Sequence, residues 1–259
     1  MFTTVESAVE SFASNFSGKW YDIVNAQNAA DYANAQLAAL NQAMSDLFDV
    51  YDLTGLGSDW DTDRFGTFGA GLVYRDDTGN ANWAETGGQT YTELDRYNAA
   101  TTASDYQIIT IVVPIPPQDP LLGEDSYIYM LGRVANTGDV SDDCVAARIG
   151  NNDLAIGYFS SGTWTALTSV AYTKAYGDTW KFHLGSNRVS TTNDYEFILY
   201  RNGVEMLSYD DSSSPVTQMG ASYRSVGFGM RAGARLLYLF QTSPGTIAVW
   251  SADEPDWGS

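Results

Sequence analysis

EFILYRNGVEMLSYDD, residues 196–211, alternates apolar and polar side chains on both sides of Asn202 and Gly203. An Asn-Gly pair suits a two-residue turn in which both central positions need positive φ, so the stretch predicts a β-hairpin. Nothing in it supplies a nucleophile, a metal cluster or a phosphate loop.

Working outward, the same texture recurs from Tyr51 onward. Strand-like runs include AGLVYRD (70–76), YQIITIVVPI (106–115), SYIYMLGRV (126–134), CVAARIG (144–150), LAIGYFS (154–160), TWKFHLG (179–185), SVGFGMRAG (225–233), RLLYLFQ (235–241) and TIAVWSA (246–252). Clusters of Gly, Asn, Asp, Ser and Pro separate them. About a dozen short strands with regular turn signals predict an antiparallel sandwich or jelly roll. No 20–50-residue period repeats, which argues against a propeller or solenoid.

Before residue 50 the composition changes to Ala, Asn, Gln and Glu. A first helix is expected with Val5, Ala8, Val9, Phe12 and Phe16 on one face. A second is expected from about Tyr21 to Asp49. Its apolar seam, Ile23, Ala26, Ala30, Ala33, Leu37, Leu40, Met44 and Leu47, follows a heptad. Two readings fit: a self-associating stalk, or one amphipathic helix packed on its own β domain. The expected division is therefore 1–50, a helical oligomerisation or docking segment, and 51–259, a β-sandwich.

Lys plus Arg number 13 against 32 Asp plus Glu, a formal charge of −19, and such a surface repels phosphate backbones. Nucleic acid is not an expected partner. No run approaches the length of a membrane span, and MFTTVESAVESF lacks the apolar core of a secretory signal, so a soluble chain made in a cytoplasm is expected. Cys144 is the sole cysteine and reads as a small buried hydrophobe.

Catalytic chemistry is sparse. His183 is the single histidine, so no His-rich zinc site and no Ser-His-Asp set with a GxSxG elbow is expected. In TELDRYN, Glu93 and Asp95 share one strand face, and a strand-borne glycosidase cluster would need a further Glu where Arg96 and Tyr97 stand. The pair reads as solvated strand residues, and no enzyme activity is expected. SDWDTDRFG spaces Asp59, Asp61 and Asp63 like the start of a calcium loop, but Arg64 occupies the glycine position and Ala70 the bidentate one. A looser calcium site at these three acids is the one cofactor left open. Sugar rings stack on exposed aromatics. Trp60, Trp180 and Trp250 read as core, whereas Trp83, Trp164 and Tyr158 are the carbohydrate-binding candidates.

LGSDW (56–60), SDYQIITIVV (104–113), YMLGRV (129–134), YEFILYRNGVEMLSYDDSSSPVTQMGASYRSVGFGMRAG (195–233) and GTIAVWSADE (245–254), in this order, resemble the concanavalin A-like jelly-roll domain of minor tail proteins from phages that infect actinobacteria. The resemblance covers about residues 52–255 and leaves the helical segment outside. It implies a two-sheet sandwich, a virion location at the tail tip or baseplate, other tail proteins as partners, and attachment to host cell-envelope polysaccharide. It supplies no catalytic residue and no metal site. Phage spikes are often threefold, so it also implies a homotrimer held by Ile23, Leu37, Leu40, Met44 and Leu47. A purely architectural tail component without a ligand is the alternative; a glycan-cleaving enzyme is a third.

Overall fold

The computed structural model describes residues 44–66, 71–85, 87–120, 122–188, 191–235 and 239–255. Two antiparallel sheets face each other, as the alternating runs predict. The smaller sheet has the order β1 (Met44–Asp46), β16 (Val249–Asp253), β6 (Gln107–Val113), β11 (Asp178–Arg188), β12 (Thr191–Arg201) and β13 (Val204–Asp210). The larger has β10 (Thr163–Ala171), β9 (Asp153–Ser160), β8 (Asp143–Ile149), β7 (Tyr127–Val134), β14 (Ser225–Arg235), β5 (Tyr91–Tyr97) and β2 (Trp60–Gly66), with β15 (Phe240–Thr242) paired to β14. A separate hairpin joins β3 (Gly71–Arg75) to β4 (Ala81–Glu85). The only helical element among the described residues is a 3-10 turn at Ala221–Tyr223.

The hairpin expected over residues 196–211 joins β12 to β13, with Arg201 opposite Val204. Asn202 and Gly203 both take positive φ, 50° and 79°, as that turn requires.

The central strands of both sheets turn alternate residues into the space between them. Ile109, Ile111, Trp180, Phe182, Phe197, Leu199 and Trp250 from the smaller sheet meet Ile128, Met130, Val145, Ile156, Phe228 and Met230 from the larger. Trp60 lies at one end of this core, with ring centroids 5.0 Å from Phe228, 4.8 Å from Trp250 and 5.3 Å from Tyr97. Trp60, Trp180 and Trp250 are core residues, as expected.

The expected boundary at residue 50 does not hold. Met44–Asp46, the end of the expected second helix, is strand β1, paired with β16 at the opposite end of the chain. Met44 is buried in the inter-sheet core and Leu47 packs on Val112, Ala248 and Val249. Neither belongs to a coiled-coil seam; both cover the sandwich itself. Asp46 explains why the chain is extended here. Its Oδ2 accepts from the Trp60 indole at 2.9 Å and from Arg75 at 2.6 Å, joining β1, β2 and β3. A helical propensity of a few tenths of a kcal/mol per residue yields to such contacts. The remaining seam residues, Ile23, Leu37 and Leu40, lie outside the described residues, and so does the first expected helix.

Candidate functional site

The larger sheet has a second apolar face, turned away from the core. Leu94, Tyr129, Leu131, Cys144, Ala146 and Phe159 lie on it, with Phe65, Tyr127 and Trp164 packed against them. The sheet curls toward this side. Phe65 on β2 and Phe159 on β9 have ring centroids 6.0 Å apart, with four strands between them in the sheet. In a flat sheet five strand steps would separate them by roughly 24 Å.

One end of the resulting trough is closed by the connection 135–142. Arg96 donates to the carbonyls of Ala135 and Gly138, and Asp63 accepts from the Ser141 amide at 2.9 Å. The other end stays open as a pocket of about 320 Å³. Its walls carry the rings of Phe65, Tyr127, Tyr129, Phe159 and Trp164. Arg148 and Arg231 supply its charge, and Thr92 and Gly162 complete the lining.

Register explains the cluster. Tyr127 stands opposite Arg231 and Tyr129 opposite Arg148, so all four side chains share one face. Both guanidinium carbons lie over the Tyr127 ring, Arg148 at 4.2 Å and Arg231 at 5.2 Å from its centroid. Each cation is held from outside the pocket. Arg148 pairs with Asp153, and Arg231 with Glu124 at 2.8 Å. Burial pushes the Tyr129 hydroxyl up, against the pull of Arg231 and Arg148. It stays protonated and able to donate. Gly157 provides room for the Trp164 indole: a Cβ there would lie 2.8 Å from it.

The three aromatics singled out from sequence do not come together. Trp164 lines the pocket. Trp83 is buried under the β3–β4 hairpin, 7% exposed, and its indole donates to Gln241 at 2.9 Å, so it cannot receive a sugar. Tyr158 stands opposite Val145, a residue of the inter-sheet core, so it faces away from Trp164. A turn-rich neighbourhood made Trp83 look accessible, but the hairpin folds over the sandwich. Sequence reading missed Tyr127, Arg148 and Arg231, whose proximity depends on strand order.

The acid candidates also resolve differently. Glu93 and Asp95 are not solvated; both are fully buried between the sheets. Their neighbours Tyr91 and Tyr97 face the same core. Glu93 accepts from Arg64 at 2.7 Å, and Asp95 Oδ1 from the Thr62 hydroxyl at 2.7 Å. Asp95 Oδ2 has no partner among the described residues. Burial, and then the charge of Glu93, push the Asp95 carboxyl well above the ordinary range. Burial also raises Glu93, against Arg64. The pair faces the opposite side of the sheet from the pocket. Asp59, Asp61 and Asp63 do not form a calcium loop: Asp61 and Asp63 lie on strand β2, and Asp59 just precedes it. Asp61 pairs with Arg96 at 2.8 Å, and Asp63 clasps Ser141. Among the described residues no three His, Cys, Asp or Glu side chains gather to hold a metal ion.

Cys144 is buried, and burial pushes its thiol up, as expected of a core cysteine. His183 packs on Tyr200 at 4.8 Å on the smaller sheet, away from the pocket. Among the described residues no helix is long and apolar enough to cross a membrane.

Two solved structures bear out the concanavalin A-like jelly-roll fold. The carbohydrate recognition domain of Emp46p, in its potassium-bound form, superposes with a TM-score of 0.50 and 8% identity, over 80% of this chain and 94% of that one. The endo-1,3-β-glucanase from Streptomyces sioyaensis gives 0.50 and 12% identity, over 82% and 95%. The likeness is one of fold. No curated protein matches the sequence. A family model matches residues 18–256, so the family unit starts well before residue 52 and takes in much of the segment read as a separate stalk. The chain belongs to that family, described as a domain of unknown function, DUF7257.

Proposed function

We propose that the protein binds a glycan in the curled face of its larger sheet and does not cleave it. The observation that carries this reading is the lining of the pocket: five aromatic rings and two arginines surround about 320 Å³, and no carboxylate is among them. Flat apolar sugar faces stack on such rings, while hydroxyls take the guanidinium and phenol donors. Glycoside hydrolysis needs two carboxyl groups flanking the bond. The buried acid pair, Glu93 and Asp95, lies on the wrong side of the sheet to serve. The sequence resemblance supports a setting for this binding in a phage tail, against the host envelope. On that reading the protein acts in the virion, beside other tail proteins.

The test is binding of the full-length protein to envelope polysaccharide and to whole actinobacterial cells, with Trp164→Ala as the control. Binding that is lost with Trp164 supports the proposal. Absence of binding would leave an architectural role. Release of reducing ends by the wild-type protein would make it an enzyme.

A further inference from the structure

We infer that the sugar taken by this pocket is an acidic one, a pyranose that bears a carboxylate. This rests on the glycan-binding reading and narrows it to a ligand class.

Three observations converge. First, the charged side chains that line the pocket are both cationic; with the Trp164 indole they only donate, beside the hydroxyls of Thr92, Tyr127 and Tyr129, which donate and accept. Among the described residues no acidic side chain lines this pocket, whereas Arg148 and Arg231 do. A neutral sugar is served by the three hydroxyls and brings no charge to meet the two guanidinium groups. A carboxylate only accepts. Second, Nε of Arg148 and Nε1 of Trp164, both on lining residues, are buried without an acceptor among the described residues. Unpaired buried donors are costly, and both side chains border the pocket, so a small shift of each as a ligand enters would give it an acceptor. Third, both guanidinium groups are pre-positioned. Each stacks near the Tyr127 ring, and each is tied from behind, by Asp153 and Glu124. Arg231 donates through one terminal nitrogen to the Asp125 carbonyl and through the other to Glu124, and Arg148 donates through one to Asp153. What the two fixed planes offer the pocket is thus their positive charge and their remaining N–H groups, which favour an anion over a neutral group.

The overall charge sets a limit on the form of the ligand. At −19 the surface repels a long polyanion over about one Debye length, roughly 8–10 Å in physiological salt. The pocket therefore suits an isolated or terminal acidic residue on an otherwise neutral chain better than a polyuronate.

The test uses the full-length protein with two probes that differ in a single group: a glucuronate-bearing disaccharide, and the same disaccharide with its carboxyl reduced to the alcohol. Binding is followed by calorimetry and by tryptophan fluorescence. The acid form is expected to bind about tenfold or more tightly, the increment of one charge-assisted hydrogen bond. Arg148→Gln and Arg231→Gln are each expected to bring the two probes toward equal affinity. Trp164→Ala should weaken both probes together. Equal or tighter binding of the reduced probe overturns the inference and leaves glycan binding standing. Failure of both probes, together with failure to bind envelope polysaccharide, removes glycan binding as well. Selectivity for the acid that survives in both arginine variants places the carboxylate elsewhere and also overturns it. Should an arginine variant fail to fold, the wild-type comparison of the two probes still decides.

Discussion

Phe65 and Phe159 meet edge to face at 6.0 Å across the trough, with an interplanar angle of 76°. Four strands separate them within the sheet, so this one contact joins the edge strand β2 to β9 and shuts one wall of the pocket. Phe65→Ala removes it. The substitution should cost about 1–3 kcal/mol, below the range for a fully buried Phe because this residue is only partly buried. Denaturant unfolding measures the loss, and a shift in Trp164 emission should accompany it. Unchanged stability and emission would mean that the trough closes without this pair.

Gly203→Val places a β-branched residue at φ 79°. The expected loss is about 1–3 kcal/mol. A Cβ at Gly203 would meet no atom within 4 Å, so any loss comes from the backbone and not from crowding. Gly203→Asn should therefore recover most of it, since Asn tolerates this region. Equal losses for Val and Asn would contradict the backbone explanation.

Asp95→Asn should raise the melting temperature at pH 7. The folded carboxyl holds its proton well above the ordinary range, because of burial and then the Glu93 charge. The unfolded chain gives that proton up near pH 4. Between those values the folded state binds more protons, so stability contributed by this group falls as pH rises. An Asn side chain is neutral throughout. The gain should be present at pH 7 and vanish near pH 4. A variant less stable than wild type at both pH values would show that the carboxyl is needed charged.

His183 works in the opposite direction. Burial, aided by Lys181, pulls its pKa down to about 4. The unfolded ring titrates near 6.5, so between these values the unfolded state binds more protons. Stability from this site is present above about pH 6.5 and is lost as pH falls toward 4. His183→Leu should flatten the stability profile in that window, read by thermal melts at half-unit steps. A profile that keeps its slope would assign it to another group.

Much of the sandwich was legible because a strand's period of two is short and its turns carry their own chemistry. The β12–β13 hairpin needs only sixteen neighbouring residues to declare itself. Strand β2 was missed for an instructive reason. WDTDRFG has the alternation of a strand, but its alternating members are acids, and acids at two-residue spacing also begin a calcium loop. Strand β1 is three residues long, and its identity depends on β16 and on the partners of Asp46, none of them local. The pocket had one visible member, Trp164. Its companions come from β2, β5, β7, β8, β9 and β14, and only strand order brings Arg148 and Arg231 to one tyrosine. Trp83 and Tyr158 show the converse error: proximity to a turn says little about which face a ring takes.

The pairing of β1 with β16 also bears on biogenesis. Among the described residues β16 sits between β1 and β6, in the interior of the smaller sheet. A nascent chain that lacks that strand leaves β1 without its partner and one edge of β6 bare. Closure of the smaller sheet is thus deferred until Val249–Asp253 has been synthesised, and truncation before Val249 should yield a species that chaperones retain or that precipitates.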